Sequence, residues 1–539
     1  MRRRADHPAA RRRAGRSTGW PERISALLAG ALAGLAWQPT ALWQLVFPAL
    51  ALFSWLVLRP LGPAAGPLPW RRGLALGWFF GLGLGLVSIS WVAVIGWYVV
   101  PPLLCFMALW QGLVGLVVVA AGRLTGNPLM RAAVVACGWS LSEYGASRIP
   151  FGGFGWMRLA WTQVDSPLGD WFPLLGAGGV SWLVAFCSGL LLALAAPAVR
   201  RATRIAAGVL VLVLALAGVL SARAIESGPQ TGSVNVGMVQ GNVDGSAGPH
   251  AMGYARSVTQ NHVSETVTLM ARARTGVDPM PDFVLWPENS TDIDPTIDAQ
   301  TRQLVGRASA VSGLPILLGA VMQGPGPDER QTSALWWLPD GTATARYDKR
   351  NLVPFGEWIP LRDQLLPVLP VLAQVGAQSV PGTTPGVLDV RLGPDGEGRE
   401  LVVGDIICFE LAWDATVHDT VRHGAELLVV QSNNGTYTGT GQPRQQFAIT
   451  RARAMEMRRE IVVSTTNSLS GLVHPDGTVT GLTDEGTAAS QTFTVPTRIG
   501  TTPALWVGPA VELLASLVAA AALLLAAGRG AARASRGTG

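Results

Sequence analysis

Hydrophobic residues fall along this chain in two patterns. From about residue 24 to 222, and again from 505 to 527, they form long runs broken only by short polar or basic stretches. Between those regions they come in bursts of five to nine residues separated by amphipathic segments. A hydrocarbon core of ~30 Å takes about 20 mostly apolar residues as a helix. The long runs therefore predict eight membrane spans, at 24–38, 42–58, 73–97, 101–121, 130–146, 172–197, 204–222 and 505–527. The first two are short, and the fifth carries Glu143 near its end.

The middle section alternates differently. "VNVGMVQGN", "DFVLWPE", "PILLGAVM", "ELVVGDIICFE", "AELLVVQSNN" and "EIVVSTTNS" each read as a strand, with helical patterns at 253–274, 296–312, 411–423 and 442–459 between them. "SALWWLPDGTATARYDK" reads as a hairpin turning at Pro339-Asp340-Gly341. Strands alternating with helices predict a layered α/β domain, whose ligands sit beyond the carboxyl ends of strands. The fold class expected is a multi-pass α-helical membrane domain joined to an α/β domain. The expected organisation is a basic tail at 1–23, seven spans within 24–226, the α/β domain at 227–503, the eighth span at 504–527 and a second basic tail at 528–539.

Composition supports the membrane reading. Charged residues are only 14% of the chain, against roughly 25% in soluble domains, and the mean hydropathy is +0.32. The net charge of +6 does not point to nucleic acid, because the basic residues cluster beside apolar runs ("MRRR", "RRRAGR", "VRRATR"). Clusters so placed set membrane orientation. They lie before the first span, between spans 2 and 3 (Arg59, Arg71, Arg72), 4 and 5 (Arg123, Arg131), 6 and 7 (Arg200, Arg201, Arg204), and after the last (Arg529, Arg533, Arg536). Connections 1–2 and 3–4 carry no charge. Every second connection is thus basic, which puts both termini in the cytoplasm and the α/β domain outside. A basic stretch before an apolar run also has the form of a signal peptide; the further spans favour an uncleaved first helix. The connection between spans 5 and 6, "SEYGASRIPFGGFGWMRLAWTQVDSPLGDW", is long and aromatic. It fits either an interfacial aromatic belt or a loop shaping a lipid-accessible site.

The four cysteines, at 105, 137, 187 and 408, show no CxxC or metal-ligand spacing, and only Cys408 lies outside the predicted spans. No GxGxxG follows a strand, and there is no P-loop or HExxH; His418 and His423 are expected to be solvated helix residues. Three strand ends carry chemistry: "FVLWPENS" ends on Glu288, "RYDKRNLVPFGEWIP" gives Lys349 and then Glu357, and "VVGDIICFELAW" gives Cys408 where strand passes to helix. Singly these are ordinary loop charges and a core thiol. Together they supply a nucleophile, a base for its proton and a cation for an oxyanion, the parts acyl transfer through a thioester needs.

The same segments resemble the Glu-Lys-Cys triad of the nitrilase, or carbon–nitrogen hydrolase, superfamily. With eight flanking spans and "WPE", "KRNLVPFGEWIP" and "CFE" in this order, the chain resembles the bacterial apolipoprotein N-acyltransferase family over nearly its whole length. The resemblance implies a nitrilase-like αββα sandwich, with Glu288 as general base, Lys349 as oxyanion stabiliser and Cys408 as nucleophile. Glu357 matches the family's second glutamate, Glu410 its acidic residue after the nucleophile, and the N–H near Phe409 a further oxyanion donor. The pattern departs from the family's at "VQGNVDGSAGPHAMG", which lacks an early aromatic, and at "SNNGTY", where Tyr437 is the aromatic present.

The resemblance implies a two-step transfer. An acyl chain passes from a membrane phospholipid to Cys408, then to the α-amine of the diacylglyceryl-cysteine that begins an apolipoprotein, with no metal or organic cofactor and no nucleic acid. The expected site is the outer face of the bacterial cytoplasmic membrane. Two other readings stand beside it. A membrane-tethered amidase or nitrilase could use the same triad, although a soluble substrate needs no eight-span scaffold. A transporter or receptor would carry charges inside its spans, where almost none are found apart from Glu143 near the end of one span and Glu512 near the start of the last.

Overall fold

The computed structural model describes residues 18–59, 68–245, 247–248, 251–393 and 395–536. Most of the N-terminal basic tail and part of the stretch after Asn242 lie outside them.

Helices α1 (Trp20–Gly34), α2 (Val46–Leu58), α3 (Trp70–Ser88), α4 (Val100–Leu124), α5 (Pro128–Ala146), α6 (Phe172–Ala195) and α7 (Arg201–Ala224) stand where the first seven spans are predicted. The third ends early. Beyond Ser88 the chain makes two short 3-10 turns, at Ser90–Val94 and Trp97–Val99, before α4. Helices α3 and α4 pack backbone to backbone at Gly73 and Gly115, where a Cβ on either would strike the other's carbonyl oxygen. Among the described residues four segments are long and apolar enough to cross a membrane: Trp97–Leu124, Gly169–Ala195, Arg201–Ala224 and Ala504–Gly530. The first two helices are shorter, at 15 and 13 residues. Arg71 and Arg72 in α3, and Arg131 and Glu143 in α5, dilute the apolar character of those two.

The α/β domain comes next, in the order β1 (Gln230–Gln240), α8 (Ser257–Arg274), β2 (Phe283–Leu285), α9 (Ala299–Ser312), β3 (Ile316–Gln323), β4 (Glu329–Trp337), β5 (Ala343–Asp348), α10 (Arg362–Leu365), β6 (Gln378–Ser379), β7 (Val387–Arg391), β8 (Glu400–Ile407), α11 (Asp414–Arg422), β9 (Leu427–Ser432), α12 (Gln442–Met457), β10 (Ile461–Thr465), β11 (Gly471–Val473), β12 (Val479–Thr480) and β13 (Ala489–Arg498). Helix α13 (Ala504–Arg536) returns through the bundle.

The strands form two sheets. One runs β13-β1-β2-β3-β4-β5 with β6 beside β4, the other β12-β11-β10-β9-β8-β7. Strands β1–β2–β3 and β8–β9–β10 pair in parallel, so their carboxyl ends fall on one edge. The predicted hairpin is β4–β5, paired antiparallel, with Asp340 Oδ1 accepting from the Thr342 N–H at 2.8 Å and Gly341 at φ +89°. Apolar side chains such as Phe283, Trp336, Val403 and Val429 fill the space between the sheets. Val284, Trp286 and Ile316 face α8 and α9 on one side. On the other, Ile406, Leu428 and Val430 face α11 and α12 within a core continuous with the helical bundle. The result is the expected αββα sandwich, with its α11–α12 layer seated on the membrane helices.

His418 departs from expectation. It is buried, with Nε2 at 3.1 Å from Glu456 Oε1, whereas His423 is exposed. Helix α11 covers the sheet rather than facing solvent, so its apolar stripe carries His418 inward.

Candidate active site

Glu288 follows β2 after Trp286 and Pro287. Trp286 anchors that connection, buried against the α8 layer with its indole N–H donating to Thr266 Oγ1 at 2.9 Å. Strand β3 crosses beneath at Gly319, where a Cβ would strike the Pro287 carbonyl. Glu288 is 3% exposed. Its Oε1 accepts from Lys349 Nζ at 2.8 Å and its Oε2 from the Asn433 N–H, just beyond β9, at 2.8 Å. Lys349 comes directly after β5 and donates also to Glu357 Oε1 at 2.9 Å; the Val353 N–H donates to Glu357 Oε2 at 2.7 Å.

Cys408 comes directly after β8 and takes φ +54°. A left-handed conformation at a non-glycine residue costs of order 1–3 kcal/mol and persists where the surroundings hold it. Here Glu410 does so. Its Oε2 accepts from the Ile407 N–H at 2.9 Å, and its Oε1 from the Tyr347 hydroxyl at 2.8 Å and the Arg350 and Asn351 N–H groups at 2.7 and 3.2 Å. One carboxylate thus ties the thiol's turn to both flanks of Lys349. The thiol opens a single 3-10 turn, Cys408–Ala412, and α11 begins only at Asp414. The helical start at the thiol is thus a 3-10 turn, with the α-helix following it.

The electrostatics suit a resting thiol. Burial pushes the Cys408 thiol well above its ordinary range; the Glu288 carboxylate adds to this and Lys349 opposes it. Burial likewise raises Glu288, with Lys349 pulling it back down. For Lys349, burial favours the neutral amine, but Glu288 and Glu357 outweigh it and hold the ammonium well above its usual range. Glu288 and Lys349 are thus in direct contact, and the charges of both bear on the Cys408 thiol.

Phe409 is wedged among aromatic rings. Its centroid lies 5.7 Å from Trp156 and 5.8 Å from Phe154, both from the connection before α6, and 4.5 Å from Trp413. That connection packs against the Cys408 turn, which favours its reading as a site-shaping loop. Tyr437 lies 5.2 Å, edge to face, from Trp91, carried in by the turns after α3.

Sequence reasoning missed the amides of α12. Cys408 Sγ lies 3.8 Å from Gln446 Oε1, which also accepts from Asn434 Nδ2 at 2.8 Å and Gln442 Nε2 at 3.0 Å, while Gln446 Nε2 donates to Ser432 Oγ at 2.5 Å. Gln445 Oε1 accepts from the Trp91 and Trp156 indoles at 3.0 and 2.8 Å, binding α12 to two segments of the bundle. Their signal was the run "QPRQQ" after a strand end.

Two facing sheets between helical layers, with an acid, an amine and a thiol meeting at strand ends, define a carbon–nitrogen hydrolase domain of the nitrilase superfamily. Residues 282–502 match the carbon–nitrogen hydrolase family model, and residues 29–190 match that of the apolipoprotein N-acyltransferase N-terminal domain. The apolipoprotein N-acyltransferase of Mycolicibacterium smegmatis is 31% identical over 526 residues, covering 93% of this chain and 85% of that protein. That of Pseudomonas syringae pv. tomato is 27% identical, covering 86% and 88%. A solved amidase of Nesterenkonia sp. AN1, from the nitrilase superfamily, superposes with a TM-score of 0.36 at 15% identity, covering 52% of this chain and 95% of that one. The chain belongs to the apolipoprotein N-acyltransferase family and is an acyltransferase.

Proposed function

We propose that this enzyme moves a fatty acyl chain from a membrane phospholipid, through a thioester on Cys408, to the α-amine of the N-terminal diacylglyceryl-cysteine of a lipoprotein. Glu288 takes the Cys408 proton and the sulfur attacks an ester carbonyl of the lipid. Lys349 and the Phe409 N–H hold the oxyanion, the ester C–O bond breaks, and lysophospholipid leaves with the proton from Glu288. The lipoprotein amine then attacks the thioester and gives its proton to Glu288. The C–S bond breaks, the amide forms and the proton returns to sulfur. Glu357 keeps Lys349 in place, and Glu410 sets the Cys408 turn.

The observation that carries this reading is the shared ammonium, with Lys349 bonded at once to Glu288 and Glu357 beside a half-buried thiol. A thiol raised by burial needs a base within reach. An enclosed ammonium stabilises developing charge more than one in water does. The aromatic surroundings of Phe409 and Tyr437 limit water at the thioester, which favours aminolysis over hydrolysis.

The same proposal places the protein in the bacterial cytoplasmic membrane with eight spans, seven in 24–226 and one in 504–527. The basic tails at 1–23 and 528–539 lie inside and the catalytic domain, 227–503, at the outer face. The alternation of basic connections supports this orientation. Mass spectrometry of a lipoprotein N-terminus tests the function. The third acyl chain should be present in cells carrying the wild-type chain and absent with Cys408→Ser; N-acylation persisting with Cys408→Ser would refute the assignment.

A further inference from the structure

A cavity of about 290 Å³ lies away from the thiol, where the bundle meets the α11–α12 layer, with Asp170, Pro173, Val219, Arg223, Arg458 and Asp476 among its lining residues. Its volume is near the lower end of small-molecule sites, roughly 300–1,000 Å³. Asp170 sits in the turn before α6, and Arg223 in the last turn of α7. Arg458, at φ +51° just after α12, donates to the Pro475 carbonyl at 3.1 Å and to the Ala222 carbonyl, and its Nε is buried without a partner. Asp476 Oδ1 is occupied by the Thr478 N–H at 2.9 Å and hydroxyl at 2.6 Å.

The charges here are close but not joined. Asp170 is near enough to interact with both Arg458 and Arg223, yet among the described residues neither arginine forms an ion pair with it, and Arg223 makes no side-chain hydrogen bond. Two of each sign held apart around an open space suit a guest that itself carries both signs. The guest's other end is indicated by α7. Helix α7 is exposed over most of its surface, and Leu212, Leu216 and Leu220, 71%, 62% and 56% exposed and one helical turn apart, line the face that leads to Arg223. Leu212 to Arg223 is a rise of about 16 Å, the depth of one leaflet of a ~30 Å hydrocarbon core. Trp171, its indole donating to the Leu214 carbonyl at 2.9 Å, adds an aromatic ring beside the cavity's turn.

We infer that this cavity is a phospholipid headgroup site separate from the thiol, taking a phosphate against Arg223 and Arg458 and a primary ammonium against Asp170 and Asp476, with the acyl chains along Leu212, Leu216 and Leu220. The lipid bridges the end of α7 to the segment after α12, which otherwise meet through Arg458. The site stands independently of the catalytic assignment.

Photo-crosslinking of the full-length protein in nanodiscs tests it, using phosphatidylethanolamine with a photoreactive acyl chain. Label should appear on peptides from α7, fall about tenfold in Arg223→Glu, and fall in Asp170→Asn for phosphatidylethanolamine but not for a matching phosphatidylglycerol probe. Thermal unfolding of the same samples should stay unchanged in both variants and shows that they are folded. Equal labelling in wild type and Arg223→Glu, or no label on α7, overturns the site. Displacement of the probe by excess inorganic phosphate also overturns it, because the cavity then holds a free anion instead of a lipid.

Discussion

Lys349 Nζ stands 2.8 Å from Glu288 Oε1, with the two side chains only 2% and 4% exposed. Two carboxylates, Glu288 and Glu357, share that one ammonium. Removing one partner of a buried pair costs about 3–5 kcal/mol because the remaining charge is left uncompensated. Lys349→Met should therefore lower thermal stability by about that much. It should also cut the rate of acyl transfer by ~10²–10³, the usual loss of one oxyanion donor. Differential scanning of the purified protein and a transfer assay read the two effects separately. Lys349→Arg should not restore the rate, since a planar guanidinium cannot take the place of a compact ammonium between two carboxylates.

Glu288 is raised above the ordinary carboxylate range by burial, with Lys349 opposing. As a base it works only when ionised, so activity should be lost as pH falls through a value above that range. Glu288→Gln should remove this acidic limb and lower the transfer rate by ~10²–10⁴. Because the Glu288 carboxylate itself helps to hold the Cys408 thiol up, the same variant should let Cys408 ionise at lower pH. Alkylation of Cys408 against pH measures that shift, whose direction is opposite to the change in activity.

In the proposed mechanism Glu410 acts on the reaction through the backbone. Its two oxygens accept four hydrogen bonds, one from the residue before Cys408 and three from the flanks of Lys349. In Glu410→Gln an NH₂ group must face donors, at a cost of about 1–3 kcal/mol. The distance between nucleophile and ammonium is then no longer fixed. Steady-state kinetics should show kcat falling at least tenfold with the KM for lipid nearly unchanged. Tyr347→Phe, which removes one of the four bonds, should have a smaller effect in the same direction.

The orientation rests on basic connections and can be read by thiol labelling in cells. Thr344, exposed in the catalytic domain, and Gly126, exposed between α4 and α5, lie on opposite sides in the proposed arrangement. A membrane-impermeant maleimide should label Thr344→Cys in spheroplasts. It should label Gly126→Cys only after permeabilisation. The reverse order would invert the topology.

The parts of this architecture that keep a period were readable in the chain. Apolar runs placed the helices, and short bursts placed the strands whose ends carry Glu288, Lys349 and Cys408. Pairings across distant segments were not readable. Glu512, noted only as a charge near a span end, is buried and paired with Arg158 and with Arg148 at 3.1 Å; Arg158 in turn meets Asp414 at 2.6 Å, and Arg453 joins Asp414 to Glu456 at 2.7 and 2.5 Å. Arg158 and Arg453 hold Asp414 far below the usual carboxylate range, overriding the upward push of its burial. Each of these charges looks solvated in sequence, because what permits its burial is a partner on another element. The same holds for α12, whose glutamines and arginines show no apolar stripe although the helix is enclosed on nearly every side. Local propensity cannot report satisfaction that arrives from the bundle. The early end of α3 at Ser88 has a similar cause: the apolar residues after it pack on the catalytic domain through Trp91 rather than continuing a span.

Cys408 is proposed to carry the acyl chain. The most direct measurement is intact and peptide mass spectrometry of the full-length protein after mixing with phospholipid in the absence of a lipoprotein acceptor. A single fatty acyl mass should appear on the peptide containing Cys408, be released by hydroxylamine, be discharged on adding a diacylglyceryl lipopeptide with a free α-amine, and be missing in Cys408→Ala. Transfer to the lipopeptide by a Cys408→Ala protein, or an acyl adduct on any residue other than Cys408, would contradict that role.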